Sequence, residues 1–279
     1  MQVILQLKTK SNIPVHHLQQ TDFFVTDTNE IDLGAFDISH RVDFYAVIWY
    51  LEDAGFHHID FEPYPIKKDT VYLLARGQVH ALQGSPPQSR VILLSKSFFD
   101  GIVDDDLRFL FNPFNKPGIV LDKDIAQLMA NLFQMMLIES NGRHDSRLLH
   151  FYIDAFLFQL LRSSHNSQPA LAYHDDRIRR MFGLIEEFYK TEKFATFYAD
   201  KLGITARRLN QIVKEKFDLS VSQLIYNYTL IEARREISHS VKSLKEIAID
   251  LGFKDQSYFS RFFKKQTGLS PERFRQENS

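Results

Sequence analysis

The spacing of apolar residues changes near residue 97. Before that point, short segments rich in β-branched and aromatic residues are separated by turn residues such as Gly77 and the Gly-Ser-Pro-Pro run at 84–87. This pattern favours β-strands in a small barrel or sandwich. The predicted strands are residues 3–7, 22–26, 43–51, 56–62, 70–75 and 90–95.

After residue 97 the apolar residues recur at helical spacing. One amphipathic helix is predicted over 125–138, with Asp122 as its N-cap, and a second over 148–161. Both helices are so apolar that each needs a partner surface, so we expect them either to pack on the barrel or to form a dimer contact. The polar segment 163–170, which contains Pro169, predicts a linker.

Beyond the linker the apolar pattern is helical throughout and contains an internal repeat. Ala199 and Gly203 are followed 49 residues later by Ala248 and Gly252. A small Ala lets a second helix pack closely, and a Gly adopts the turn in which a side chain would clash. The predicted elements are a helix over 177–190, helix-turn-helix units at about 194–216 and 244–265, a long joining helix over 221–237, and a last turn from Ser270-Pro271.

The second helix of each unit has one apolar face and one polar face. Thr205 and Asp255 are the predicted N-caps, and each precedes a helix whose polar face carries hydroxyl, amide and cationic groups. Such groups read base edges or hold phosphates, and two units on one chain suit successive major-groove segments. The alternative is a helical interaction module with a solvated polar face. The predicted base contacts are Arg207, Asn210, Gln211, Gln256, Ser257 and Arg261, and the predicted phosphate contacts are Lys214, Lys264 and Lys265.

Composition narrows the class of protein. A chain of 279 residues can form two domains, and the lack of cysteine excludes disulfides and cysteine-based zinc or nucleophile sites. The longest apolar run, residues 44–51, is too short to span a membrane, and the N-terminus lacks the features of a signal peptide, so we expect a cytoplasmic protein. Residues 175–279 carry 20 Lys+Arg and 15 Asp+Glu, a net charge of +5, against −6 for residues 1–174. This asymmetry suits DNA binding by the C-terminal part.

The C-terminal segment 175–279 resembles the AraC/XylS family of transcription regulators. The most specific part is EIAIDLGFKDQSYFSRFFKKQTGLSPERFR at 246–275, where an Ala, a Gly-Phe, a Tyr-Phe-Ser-Arg-x-Phe-Lys run, a Gly and a Ser-Pro follow at the family's distances. The segment ARREI at 233–237 matches the end of the family's linker helix. The first unit departs from the pattern at Phe217-Asp218, where the family usually has a Gly, and at Asn210-Gln211-Ile212, where Leu-x-Arg-x-Phe is commoner.

The resemblance implies an α+β multidomain protein. Residues 1–163 would form a cupin-like β-barrel with two packing helices, which binds an effector and dimerises. Residues 164–174 would be the linker, and 175–279 an all-α domain of two helix-turn-helix units joined by a long helix. The segment ARGQVH at 75–80 is similar to the second cupin motif. The implied function is an effector-responsive activator, with promoter DNA, RNA polymerase, a small molecule and a second copy of the chain as partners.

A pocket for a small organic effector is the expected site in the N-terminal part, lined by Tyr45, Trp49, Tyr72 and His80. A metal site is not expected. His57 and His58 are neighbours on a strand, so they point to opposite faces and cannot share an ion. His58 shares a face with Asp60, but the His-x-His pair of cupins is missing.

The rival function is a cupin enzyme with a helical appendage, which would need a bound metal. The sequence contains no Gly-x-Ser-x-Gly, no His-Glu-x-x-His and no phosphate-cradling Gly-rich motif. We therefore predict that the chain is not an enzyme, with no catalytic residues and no cofactor.

Overall fold

The computed structural model describes residues 6–8, 15–18, 21–27, 39–82, 86–114, 118–143, 145–167 and 176–278. They form two compact units, a β-rich one that ends with residue 167 and an all-helical one from residue 176. This confirms the expected α+β multidomain architecture. No helix in these ranges is long and apolar enough to cross a membrane.

The first unit contains two sheets that enclose an apolar interior. The five-stranded sheet has the order β11-β8-β5-β10-β3, and the six-stranded sheet has the order β1-β2-β4-β9-β6-β7. The strands are β1 Gln6–Lys8, β2 Val15–His17, β3 Phe23–Asp27, β4 His40–Val42, β5 Tyr45–Tyr50, β6 Phe56–Ile59, β7 Glu62–Pro65, β8 Thr70–Leu74, β9 Val79–Leu82, β10 Ser89–Leu94 and β11 Gly118–Val120.

The same unit has four helices: α1 Lys96–Gly101 and α2 Asp105–Phe109 lie between β10 and β11, and α3 Lys123–Asn141 and α4 Ser146–Ser167 follow β11. The buried faces of α3 and α4 form one apolar cluster with the outer face of the five-stranded sheet, through residues such as Phe133 and Phe156. The helices therefore pack on the barrel, the first of the two expected arrangements. Asp122 caps α3 as predicted, because its carboxylate accepts a hydrogen bond from the N–H of Ile125 (2.9 Å).

The predicted strand 56–62 is broken in the structure. Asp60 and Phe61 both have positive φ (49° and 72°) and connect β6 to β7 as a two-residue hairpin turn. The Asp60 carboxylate stabilises this turn, because it accepts hydrogen bonds from the N–H of Val79 (3.2 Å) and from Nε2 of Gln78 (2.7 Å). Residues 63–65, which include two prolines, are part of β7, an edge strand, where proline is tolerated because the outer N–H has no strand to pair with.

The first part of the linker expected at 163–170 is helical in the structure. Helix α4 continues to Ser167, and the buried Ser164 hydroxyl donates to the carbonyl of Leu161 (2.7 Å), a bond that satisfies the hydroxyl within the helix. Residues 168–175 lie outside the described chain. The start of predicted strand 3–7 lies outside the described residues too.

Four strands of the structure were not predicted from the sequence: β2, β4, β9 and β11. Each has only three or four residues, which is too few to show the alternation of apolar and polar residues that identifies a strand.

The helical unit has seven helices within residues 176–278, in agreement with the predicted order. They are α5 Asp176–Phe188, α6 Ala195–Lys201, α7 Ala206–Phe217, α8 Val221–His239, α9 Leu244–Asp250, α10 Gln256–Thr267 and α11 Pro271–Glu277. Five of them begin at a hydroxyl or carboxylate side chain that accepts a hydrogen bond from the first turn, namely Thr205, Ser220, Ser243, Asp255 and Ser270.

The repeat extends over three helices. The pair α6–α9 is related by 49 residues and the pair α7–α10 by 50, because Lys254 is an additional residue in the second turn. Asp218 takes the place of Gly268 and adopts the same left-handed conformation, with φ of 56° against 78°. Asp tolerates this region better than most residues with a side chain. The helices that follow, α8 and α11, both begin with a capping serine.

The turn glycines of the two helix-turn-helix units differ in what surrounds them. Both have positive φ, 68° for Gly203 and 79° for Gly252. A Cβ at Gly203 would meet no atom within 4 Å, whereas a Cβ at Gly252 would lie 1.8 Å from the carbonyl oxygen of Lys190. Only Gly252 is therefore required both by its backbone conformation and by a close approach of another segment.

We expect Gly203→Ala to lower the free energy of unfolding by about 1–2 kcal/mol, the cost of a side chain in the left-handed region. Gly252→Ala should cost clearly more, because the backbone at Lys190 must also move. Urea unfolding followed by far-ultraviolet circular dichroism compares the two variants. Equal losses would contradict the close approach.

Candidate DNA-binding face and barrel interior

Helix α10 is anchored by its apolar face. Phe259 and Phe263 are fully buried, and the ring of Phe253 lies 5.1 Å from that of Phe259. On the opposite face Ser257, Arg261 and Lys264 follow at helical spacing and are exposed. Of the other two predicted contacts, Lys265 is exposed beside this face and Gln256 is half-buried at its edge.

Helix α7 presents the equivalent face. Leu209 and Val213 are fully buried, and Arg207, Gln211 and Lys214 are exposed at the positions of Ser257, Arg261 and Lys264. The side chains of all three can donate hydrogen bonds to bases or phosphates. Each helix therefore carries three polar positions of the same spacing, which we call the matched triads.

The side chains of the first triad already make contacts on the helix surface. Gln211 accepts a hydrogen bond from Nη1 of Arg208 (3.1 Å) and donates to Glu215 (2.8 Å). The Lys214 ammonium lies 2.5 Å from the carboxylate of Asp218, and this hydrogen bond holds the pKa of Asp218 below its usual value. These groups are exposed, so water or DNA can replace such contacts at little cost.

Asn210 differs from the other predicted contacts. Its Nδ2 donates to the carbonyl of Ala206 (3.1 Å), and its Oδ1 accepts from the N–H of Val221 (3.1 Å). The half-buried amide thus joins α7 to the first turn of α8, and both its ends are in use. The structure gives Asn210 a role in holding α7 against α8, and the base contact expected of it stays a prediction.

A chain of buried polar side chains crosses the barrel interior. Tyr50 Oη and His57 Nδ1 share a hydrogen bond (3.0 Å), as do His57 Nε2 and His80 Nδ1 (3.1 Å). The ring of His40 lies 4.0 Å from that of His80. Burial lowers the pKa of His57 from 6.5 to about 3, with further contributions from the nearby His40 and His58. His57 is therefore neutral at physiological pH.

Tyr72 lies beside this chain. Its ring centroid is 5.6 Å from that of His57, and its hydroxyl donates to the carbonyl of Pro65 (2.6 Å). Burial, together with the neighbouring Tyr64, raises the pKa of Tyr72 to about 12. The interior thus offers neutral aromatic groups with polar atoms, a lining typical of sites for small organic molecules.

Two protein-family models match this chain. A helix-turn-helix domain matches residues 198–277, and an AraC-like ligand binding domain matches residues 34–161. The HTH-type transcriptional activator RhaS of Citrobacter koseri is 31% identical over 248 residues, which cover 85% of this chain and 87% of that protein. The chain belongs to the AraC/XylS family. It is a DNA-binding transcription regulator with a ligand-binding domain.

Two further similarities have lower sequence identity. RhaS of an Enterobacter species is 24% identical over 276 residues, covering 93% of this chain and 96% of the relative. Among solved structures, ToxT of Vibrio cholerae aligns with a TM-score of 0.47 and 14% identity, over 93% of this chain and all of that one (100%).

The four residues predicted to line the pocket of this AraC/XylS regulator do not share one face. Tyr72 and His80 lie in the barrel interior. Tyr45 stacks on Phe99 with ring centroids 3.6 Å apart, and Trp49 belongs to the cluster under α3 and α4. Because β5 alternates its side chains, Tyr45 and Trp49 point away from the interior that Tyr50 faces. The four residues therefore cannot line one pocket.

His58 and Asp60 do not lie on one strand as expected, because Asp60 belongs to the turn after β6. His57, not His58, faces inwards and reaches His80, while the Asp60 carboxylate is bound by Gln78. Among the residues with described positions, no group of three or more histidine, aspartate or glutamate side chains is arranged to hold a metal ion.

The matched triads identify two exposed residues that were not predicted as contacts. Arg208 and Tyr258 occupy equivalent positions on α7 and α10, next to the triads, and Tyr258 is 50% exposed. The 50-residue offset between the helices was the signal that could have found them, because it makes each exposed position of one helix a candidate on the other.

Protonation of His57 should make the stability of the β-rich unit depend on pH. Between pH 6.5 and 3 the unfolded chain binds a proton at His57 that the folded protein does not, so stability falls as pH decreases below 6.5. We expect this group to remove roughly 1 kcal/mol between pH 6.5 and 5.5, a loss that His57→Gln abolishes. Urea unfolding followed by the fluorescence of Trp49, the single tryptophan, reports on this unit.

His58→Gln is the matched control, since it removes the adjacent histidine and leaves the polar chain intact. It should retain most of the pH dependence of the wild type. A His57→Gln variant with an undiminished slope would show that other groups cause it.

Proposed function

We propose that this chain is an effector-responsive activator that binds promoter DNA as a homodimer through α7 and α10. The observation that carries the proposal is the pair of matched triads. They lie on two capped helices 50 residues apart, in each case on the face opposite the buried apolar residues. The names of the RhaS relatives support activation. Two such helices suit successive major-groove segments.

Each exposed group has a role that follows from its chemistry. Arg207 and Arg261 are suited to bidentate pairing with guanine, and Gln211 and Gln256 to pairing with adenine. Ser257 can bond to several bases. The ammonium groups suit phosphates, which fix the register without reading sequence; they are Lys214, Lys264 and Lys265.

The effector site belongs in the barrel interior. We place Tyr72 and His80 at this site, together with their hydrogen-bonded neighbours Tyr50 and His57. An effector can change DNA binding only through different affinities for two arrangements of the protein. We propose that it changes how the DNA-binding units of a dimer are presented to two tandem sites on the DNA, one for each copy of the chain.

The remaining partners follow from the function. An activator must act on RNA polymerase at the promoter, so the polymerase is a proposed partner, and the cytoplasm, where promoter DNA lies, is the proposed location. We also propose that the chain has no enzymatic activity, because its family consists of regulators and the interior polar groups bond to one another.

Base contacts and phosphate contacts should respond differently to substitution. Arg261→Ala should cost about 1–3 kcal/mol of specific binding and relax the choice of base at one position. Lys264→Ala should weaken binding to all sequences alike and reduce the slope of affinity against salt by about 1. Fluorescence anisotropy with upstream fragments and scrambled DNA, at two salt concentrations, separates the two effects.

Arg273→Ala is the control, since Arg273 is an exposed arginine of α11, paired with Glu277 (2.8 Å), outside the matched triads. It should bind like the wild type. Equal losses for Arg261→Ala on specific and random DNA would refute the assignment of this side chain to a base.

The outer faces of α3 and α4 support a dimer contact. Although their inner faces pack on the sheet, both helices expose large apolar residues: Leu128, Met135 and Ile138 on α3, and Phe151 and Phe158 on α4. Monomeric proteins seldom expose such groups together on neighbouring helices, and α3 and α4 are in contact.

Charged substitutions on these faces should prevent dimerisation. Met135→Asp and Phe158→Asp would each place a carboxylate in the contact, so we expect the mass of a monomer by light scattering at micromolar concentration, where the wild type is a dimer. Val103→Asp is the control, because Val103 is 95% exposed and lies on neither helix. A wild type that stays monomeric with and without DNA would refute the proposal.

A further inference from the structure

The connection between α5 and α6, residues 189–194, reaches the turn of the second helix-turn-helix unit. The carbonyl oxygen of Lys190 lies so close to Gly252 that a Cβ there would be 1.8 Å from it. This approach joins the segment that leads into α6, the first helix of the first helix-turn-helix unit, to the turn between α9 and α10. It therefore ties the two units together at a second place, besides α8.

Lys193 reinforces this contact. Its ammonium donates to the carbonyl of Tyr189 and lies 3.4 Å from Oγ1 of Thr229 and 3.5 Å from the carbonyl of Leu251. These three groups belong to the segment directly after α5, to α8 and to the turn of the second helix-turn-helix unit. Enclosure among them lowers the pKa of Lys193 to about 8, because burial disfavours the charged form.

Two aromatic rings complete the surroundings of the ammonium. It lies 5.7 Å from the ring centroids of both Tyr189 and Phe253, a distance at which a cation is attracted to the ring face. Phe253 in turn packs on α10, with its ring 5.1 Å from those of Phe259 and Phe262. A continuous path of contacts thus runs from Lys193 to the helix that carries the second triad.

We propose that Lys193 is a positioning residue that fixes the orientation of α10 relative to α7. It thereby sets the spacing that one chain accepts between its two half-sites, the major-groove segments read by α7 and by α10. Helix α8 has 19 residues and packs against helices of both helix-turn-helix units, but a long helix can bend along its length, which changes the angle between the two units. The contacts of Lys193 and Gly252 remove that freedom. The inference rests on the proposed reading of successive major-groove segments by α7 and α10 of one chain.

The geometry of DNA makes this orientation a determinant of specificity. One helical turn takes 10–10.5 base pairs, so one added base pair moves a half-site by about 3.4 Å and rotates it by about 35°. A rigid pair of recognition helices tolerates such a change poorly. A pair that can rotate tolerates it well, with the same bases read in each half-site.

In vitro selection from random DNA with the full-length protein, followed by sequencing, tests the proposal and finds the half-sites in the same experiment. The wild type should enrich two half-site motifs at one spacing, about tenfold above spacings one base pair shorter or longer. Lys193→Met keeps the aliphatic stem and removes the charge. It should enrich the same two motifs with this preference reduced to about threefold or less.

Lys201→Met is the matched control. The Lys201 ammonium also lies near two ring faces, those of Phe188 (5.9 Å) and Phe197 (5.7 Å), but it sits on α6, and both rings belong to α5 and α6 rather than to the second unit. Its spacing preference should equal that of the wild type. A role of Lys193 in stability alone would lower affinity without broadening the spacing.

Thr229→Val provides a second variant in case Lys193→Met does not fold. It keeps the shape of the side chain and removes the hydroxyl oxygen near the ammonium, so it should broaden the spacing in the same direction. Unchanged spacing in the folded variants would overturn the role of Lys193. Failure of the wild type to enrich any pair of motifs would instead refute the proposed function on which the inference rests.

Discussion

Burial of two apolar side chains beneath each recognition helix decides which groups the protein can offer to DNA. Leu209 and Val213 under α7, and Phe259 and Phe263 under α10, are four residues apart and almost wholly excluded from water. Truncating a buried phenylalanine costs about 3–5 kcal/mol, far more than any exposed contact contributes. The rotation of each helix is therefore fixed by its core, and the matched triads follow as the opposite face.

The same constraint acts on the sheet with a different period. In β5 successive side chains alternate between the barrel interior and the surface that α3 and α4 cover. Both surfaces are buried, so burial alone does not distinguish them. A residue of β5 or β8 can be identified as a pocket candidate only once its neighbours are known, and this separates Tyr72 from Trp49.

The polar groups in the interior satisfy one another. Tyr50, His57 and His80 are hydrogen-bonded in a row, which spares the fold the cost of unpaired buried donors and acceptors. An effector that binds there must replace those bonds with its own. The free energy available to shift the protein between two arrangements is therefore the difference between the hydrogen bonds that the effector makes and those that it replaces. This favours a specific effector over a tightly bound one.

Local sequence was sufficient to predict the two domain types, the helical repeat, the caps and the exposed faces of α7 and α10, because these depend on neighbours within four residues along the chain. It also indicated a glycine turn at position 252. Only the packing of elements against one another established that the carbonyl of Lys190 occupies the space of the missing side chain, that Asn210 holds α8, and that His57 rather than His58 meets His80. Each of these contacts joins residues from different elements, and their partners are set by how the elements pack, which local periodicity does not record.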